Sequence, residues 1–126
     1  MSPPLGLDDQ RRITRLVEQA RRQAARLEAE PRTAALAHAV KARARALTNF
    51  LAQLETWSVD VMTYAAERSA LRDLPAGEDR DARAAALDVR LGALRADWAR
   101  LEARRGAELL SFATAQRILR IRLSAL

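Results

Sequence analysis

Apolar residues recur along this chain at steps of three and four, the spacing that gathers them into one stripe on the side of an α-helix. After a Pro-containing lead over residues 1–7, the first stripe runs through Ile13, Leu16, Val17, Ala20, Ala24 and Leu27. Asp8 or Asp9 offers a cap and suits the positive end of the helix dipole, while Pro31 biases Glu30 out of the helical region, which predicts a first helix over about 8–29. A second stripe, through Leu36, Val40, Leu47, Leu51, Leu54, Trp57, Val61, Ala65 and Leu71, predicts a long helix from Pro31 to about Asp73. A kink is expected in it where Thr56, Ser58 and Val59 cluster. Leu74-Pro75-Ala76-Gly77-Glu78 is the clearest turn signal. Asp79 or Asp81 then caps a third helix on Leu87, Leu91, Leu94, Trp98 and Leu101, an alternation of four and three that reads as a coiled-coil seam. The seam stops at Arg105 and Glu108, and a basic last turn followed by Gly106 predicts a helix end there. Residues 107–126 then form an apolar and basic final helix.

These elements define an all-α fold, an up-and-down bundle of about four helices with long second and third members, occupying residues 1–126 as a single domain. The expected core is Leu16, Leu27, Leu36, Val40, Leu47, Leu51, Leu54, Leu91, Leu94, Trp98 and Leu101.

Composition narrows the chemistry. The chain has no cysteine and one histidine, which removes disulfides, thiolate sites and thiol catalysis and argues against a transition-metal site; no cofactor or metal is expected. Neither a signal-peptide pattern nor 18 consecutive apolar residues occurs, so the expected location is the cytoplasm, with no transmembrane segment. A net charge of +6 favours an acidic partner, although the Lys and Arg residues are largely interspersed with Asp and Glu. Of 22 basic residues all but one are Arg, a ratio that fits a GC-rich genome better than a functional demand, and it makes the single lysine conspicuous.

That lysine, Lys41, stands three residues after the single histidine, His38. His38 is two residues from both Leu36 and Val40, so at 100° per residue it points about 200° away from the buried stripe, toward solvent or a partner. Its helical neighbours are Ala34, Ala35, Lys41, Ala42 and Arg45, small side chains with two cations beside the imidazole. Ala37-His38-Ala39-Val40-Lys41-Ala42, followed by Ala44 and Leu47, resembles the signature of histidine phosphotransfer (HPt) domains. The resemblance covers about ten residues and departs from the family where Ala42 and Thr48 stand in place of glycine. It implies a four-helix bundle in two-component signalling, in which His38 accepts a phosphoryl group from a receiver-domain aspartate and passes it on. Lys41 and Arg45 would stabilise charge on that group, and the protein would be at most a phosphotransfer intermediate. A neutral imidazole is a competent nucleophile toward an acyl phosphate.

Two broader readings accompany this one. The first is a non-enzymatic helical interaction protein, an adaptor, chaperone or self-associating bundle, binding through Ala34, Ala35, Ala42, Ile118 and Ile121, or pairing with a second copy through its third or final helix. The second is a basic nucleic-acid-binding protein, for which the clusters Arg11, Arg12 and Arg15, Arg21, Arg22 and Arg26, and Lys41, Arg43 and Arg45 supply phosphate contacts, although no helix-turn-helix, zinc or RNA-stacking motif accompanies them. A membrane-surface role for the basic and apolar tail is disfavoured, because its arginines do not gather on one face.

Overall fold

The computed structural model describes residues 7–126, and the lead predicted over residues 1–7 falls outside it except for Leu7, the first helical residue. Three α-helices carry the described chain: α1 (Leu7–Glu28), α2 (Ala34–Ala70) and α3 (Glu78–Ser124), with a short 3-10 turn, Leu71–Asp73, closing α2. The class is all-α, and the described residues contain no strand.

The expected fourth helix is a continuation of α3. Gly106 sits inside a helix of 47 residues, roughly 70 Å long at 1.5 Å per residue. A lone helical glycine costs only about 1 kcal/mol against alanine, less than the packing on either side of it supplies. The seam expected to fail at Arg105 and Glu108 also continues. Leu87, Leu91, Leu94, Trp98, Leu101, Arg105, Glu108 and Phe112 hold an unbroken alternation of four and three, with the two charged members half-buried among the apolar ones. α2 likewise runs unbroken through Thr56 to Val59, where Thr56 and Thr63 satisfy their hydroxyls on the carbonyls of Ala52 and Val59.

Pro31 lies in the α1–α2 turn rather than at the start of α2. Thr33 explains the shift. Its hydroxyl donates to the Leu27 carbonyl at 2.7 Å, closing the end of α1, while its own carbonyl accepts from Leu36 and Ala37 to open α2. Glu78, Asp79 and Asp81 fall in the first turn of α3 beside its positive dipole end, but no side chain caps it.

α1 packs antiparallel to α2, with Gln10 bonded to Ser58 at one end and Glu28 paired with Lys41 at the other. It runs parallel to the second half of α3, where Asp9 meets Arg105 and Gln23 meets Gln116. α2 and α3 are antiparallel along their whole length, from Arg68–Asp88 to Gln53–Arg104. The molecule is therefore a three-helix bundle over one half and a two-helix arm, about 59–97, over the other.

Ile13, Val17, Ala20, Ala24 and Leu27 form the buried stripe of α1, facing Ala37, Val40, Ala44 and Leu47 of α2. Phe50, Leu54, Trp57, Leu94, Leu101, Phe112 and Leu119 complete the core. Of the expected core, Leu27, Val40, Leu47, Leu54, Leu94 and Leu101 are buried, whereas Leu16, Leu36, Leu51, Leu91 and Trp98 are half-buried. Small alanines take the central places instead because they let α1 approach α2 closely. At the root of the arm, Trp57 and Trp98 pack with ring centroids 4.7 Å apart, and the Trp57 indole donates to the Leu94 carbonyl at 3.0 Å.

Candidate functional site

Two faces of α2 carry the candidate residues, and the helix turns them away from each other. The first is the outward face around His38. The histidine is exposed, as its distance from the buried stripe requires, and Ala34, Ala35, Lys41, Ala42 and Arg45 around it are exposed too. Lys41 is not free: its ammonium pairs with Glu28 across the α1–α2 boundary. Arg45 makes no ion pair among the described residues. With Lys41, Ala44 and Thr48 it lines a shallow cleft of about 300 Å³, to which α1 contributes Arg21. The structure thus gathers Arg21, Lys41 and Arg45 in one cleft, which His38 does not line, and Arg21 is the member that helix spacing within one segment had no means of finding. No hydrogen bond to the imidazole occurs among the described residues, so nothing orients it.

The second face lies between α2 and α3 on the side away from α1. Lys41, Ala44 and Thr48 point toward α1, whereas Leu36, Ala39 and Ala42 point roughly 160° away from them around the α2 axis, taking 100° per residue. A cleft of about 290 Å³ opens there, lined by Leu36, Ala39, Val40, Ala42 and Arg43 of α2 and by Ala115, Gln116, Ile118, Leu119 and Arg122 of α3. Further along the same pair, a cleft of about 440 Å³ is bordered by Gln53, Thr56, Trp57 and Asp60 and by Asp97, Arg100 and Arg104. Arg104 also covers the Phe50 ring, 5.5 Å from its centroid. Neither lining includes a residue of α1.

The sequence-predicted binding residues divide between these faces. Ala42 and Ile118 meet in the α2–α3 cleft, and Ile121 stands exposed beyond its edge. Ala34 and Ala35 are exposed but line no cleft described here. The cleft floor, Val40 and Leu119, was hidden in the sequence among the core positions, because one residue serves both.

Among the described residues no three His, Asp or Glu side chains gather as metal ligands would. None of the described helices is long and apolar enough to cross a membrane. No protein-family model matches the chain, and neither the curated proteins nor the solved structures contain a significant match to it.

Proposed function

We propose that this protein is a helical docking module, without chemistry of its own, that binds another protein along the open side of its α2–α3 pair. The observation that carries this reading is the one-sided cover of that pair. α1 buries one flank over about half the length of α2, and the opposite flank stays open above an aliphatic floor. Helix pairs left open in this way accept a further helix at the ordinary interaxial spacing of about 8–10 Å. The alanines at 39, 42 and 115 keep such an approach free of bulk. A photo-crosslinking amino acid placed at Ala39, in the cleft, against one at Ala35, on the His38 face, tests it in the source cells. A discrete adduct from position 39 that excess unlabelled wild-type protein competes away supports the reading. Adducts only from position 35, or none, would remove it.

A phosphorelay role for His38 is a second proposal, favoured by the exposure of the imidazole one turn from Lys41 and two turns from Arg45 on the same helix. In it an imidazole nitrogen attacks the phosphorus of a receiver's acyl phosphate, the aspartate carboxylate leaves, and the cations neutralise the transferring oxygens. An acidic receiver domain suits that basic face. Against it stands the three-helix architecture, where the family resemblance implies four. Acid-labile phosphate on wild type and none on His38→Gln, after mixing with phosphorylated receiver domains, is its expected outcome. Equal labelling of the two, or none, would eliminate it.

A further inference from the structure

Two stretches of the chain that meet at one end of the molecule carry no carboxylate side chain. Residues 31–54 contain Arg32, Lys41, Arg43 and Arg45 but no Asp or Glu, and residues 109–126 contain Arg117, Arg120 and Arg122 and again no Asp or Glu. The antiparallel arrangement lays these two stretches side by side, so seven cations gather at this end of the molecule, and two of them, Arg43 and Arg122, line the cleft between Leu36–Arg43 and Ala115–Arg122. Of the seven, Lys41 pairs with Glu28 on the α1 side and Arg32 donates to the Leu126 oxygen at 2.9 Å, whereas Arg43 and Arg122 make no ion pair among the described residues. At the arm the charge reverses, because residues 59–97 hold eight Asp and Glu against six Arg. The positive charge of the chain is therefore concentrated in the two stretches that form the open apolar cleft, with Arg43 and Arg122 on its lining.

Resting on the docking reading above, we propose that the cleft receives an acidic amphipathic α-helix of a partner protein, its apolar side on Leu36, Val40, Ile118 and Leu119 and its carboxylates at Arg43 and Arg122. The floor is aliphatic, with none of the aromatic platforms that nucleic-acid bases stack on. The site is a groove between two rods, whose concave section matches a rod better than a flat lipid surface. Ile118 is 47% exposed at its edge, and a docked helix would cover it. Arginine suits such a rim because its guanidinium is weakly hydrated and binds carboxylates through two parallel bonds.

Two synthetic helical peptides test this on the full-length protein. They share one Leu/Ile stripe and differ only in flanking Glu or Gln; affinity is read by fluorescence anisotropy and location by amide NMR shifts. The Glu peptide is expected to bind at least tenfold more tightly at low salt and to shift Ala39, Ala42 and Ala115. Arg43→Glu combined with Arg122→Glu, both at exposed or half-exposed positions, should abolish that preference and favour a Lys-flanked peptide, with helicity unchanged by circular dichroism. Equal binding of the Glu and Gln peptides at these alanines overturns the acidic partner while leaving the docking module standing. Absence of any shift there overturns both. The same shifts produced by a DNA duplex, by anionic vesicles or by concentration of the protein itself overturn the proposal in favour of that occupant.

Discussion

Arg105 reaches across the bundle to Asp9, Nη1 to Oδ2 at 2.5 Å, and joins the first turn of α1 to the seam of α3 with both side chains 28% exposed. The pair is neither a solvated surface bridge nor a sealed one, and a second carboxylate, Glu102, lies 3.5 Å from the same guanidinium. Exposed pairs contribute about 0.2–1 kcal/mol, and breaking a buried pair costs about 3–5 kcal/mol. Arg105→Ala should therefore cost about 1–2 kcal/mol in urea unfolding, and a double-mutant cycle with Asp9→Asn should recover a coupling of about 1 kcal/mol. Independent, additive effects would show that α1 is positioned by its apolar stripe alone.

Gly106 offers a test of the opposite sign. A methyl group added there meets nothing within 4 Å, and the residue is interior to α3. Gly106→Ala should stabilise the protein by about 0.5–1 kcal/mol, seen as a raised Tm. If the chain bent or ended a helix at this residue, the substitution would lower Tm instead.

The α1–α2 spacing rests on small residues. Ala24 is 1% exposed in the buried stripe, and its neighbour Ala25 faces solvent. Ala24→Leu should destabilise by about 1–3 kcal/mol through overpacking, and Ala25→Leu should stay within about 0.5 kcal/mol of wild type. Similar losses at both positions would mean that the stripe is misassigned.

The helices and the direction of His38 were legible in the sequence because each depends on residues within a turn or two of one another. Ile13, Val17, Ala20, Ala24 and Leu27 announce their shared face by spacing alone. Helix number was not legible in the same way. Arg104-Arg105-Gly106 carries a local stop signal, but Asp9, 96 residues away, supplies Arg105 with the partner that lets it stay in the seam. The open cleft was invisible for a related reason. Val40 and Leu119 read as core, and only the absence of α1 from that flank shows that one side of each remains available. The charge distribution, by contrast, is legible: the acid-free runs 31–54 and 109–126 are plain in the sequence, and only their juxtaposition needed the fold.

Trp57 should report on the root of the arm. Trp57→Phe removes the bond to the Leu94 carbonyl and shrinks the contact with Trp98. The expected loss is about 1–2 kcal/mol, with a weakened near-ultraviolet circular dichroism signal. An unchanged signal would indicate that the two indoles are not held against each other in solution.

The unequal lengths of the three helices also set an order of opening. α1 spans 22 residues and α3 spans 47, so the arm beyond Trp57 has one partner helix where the bundle has two. Its buried side chains beyond Leu54 and Trp57 are few, Leu71 and Leu87 near the tip and Leu94 near the root. Amide protons there should be guarded by a local free energy smaller than the global one, while those beside Ile13, Leu47 and Phe50 are expected to exchange only when the whole protein opens. The molecule thus unzips from its tip inward, and a protease would find the turn at Leu74–Gly77 long before it reached the bundle.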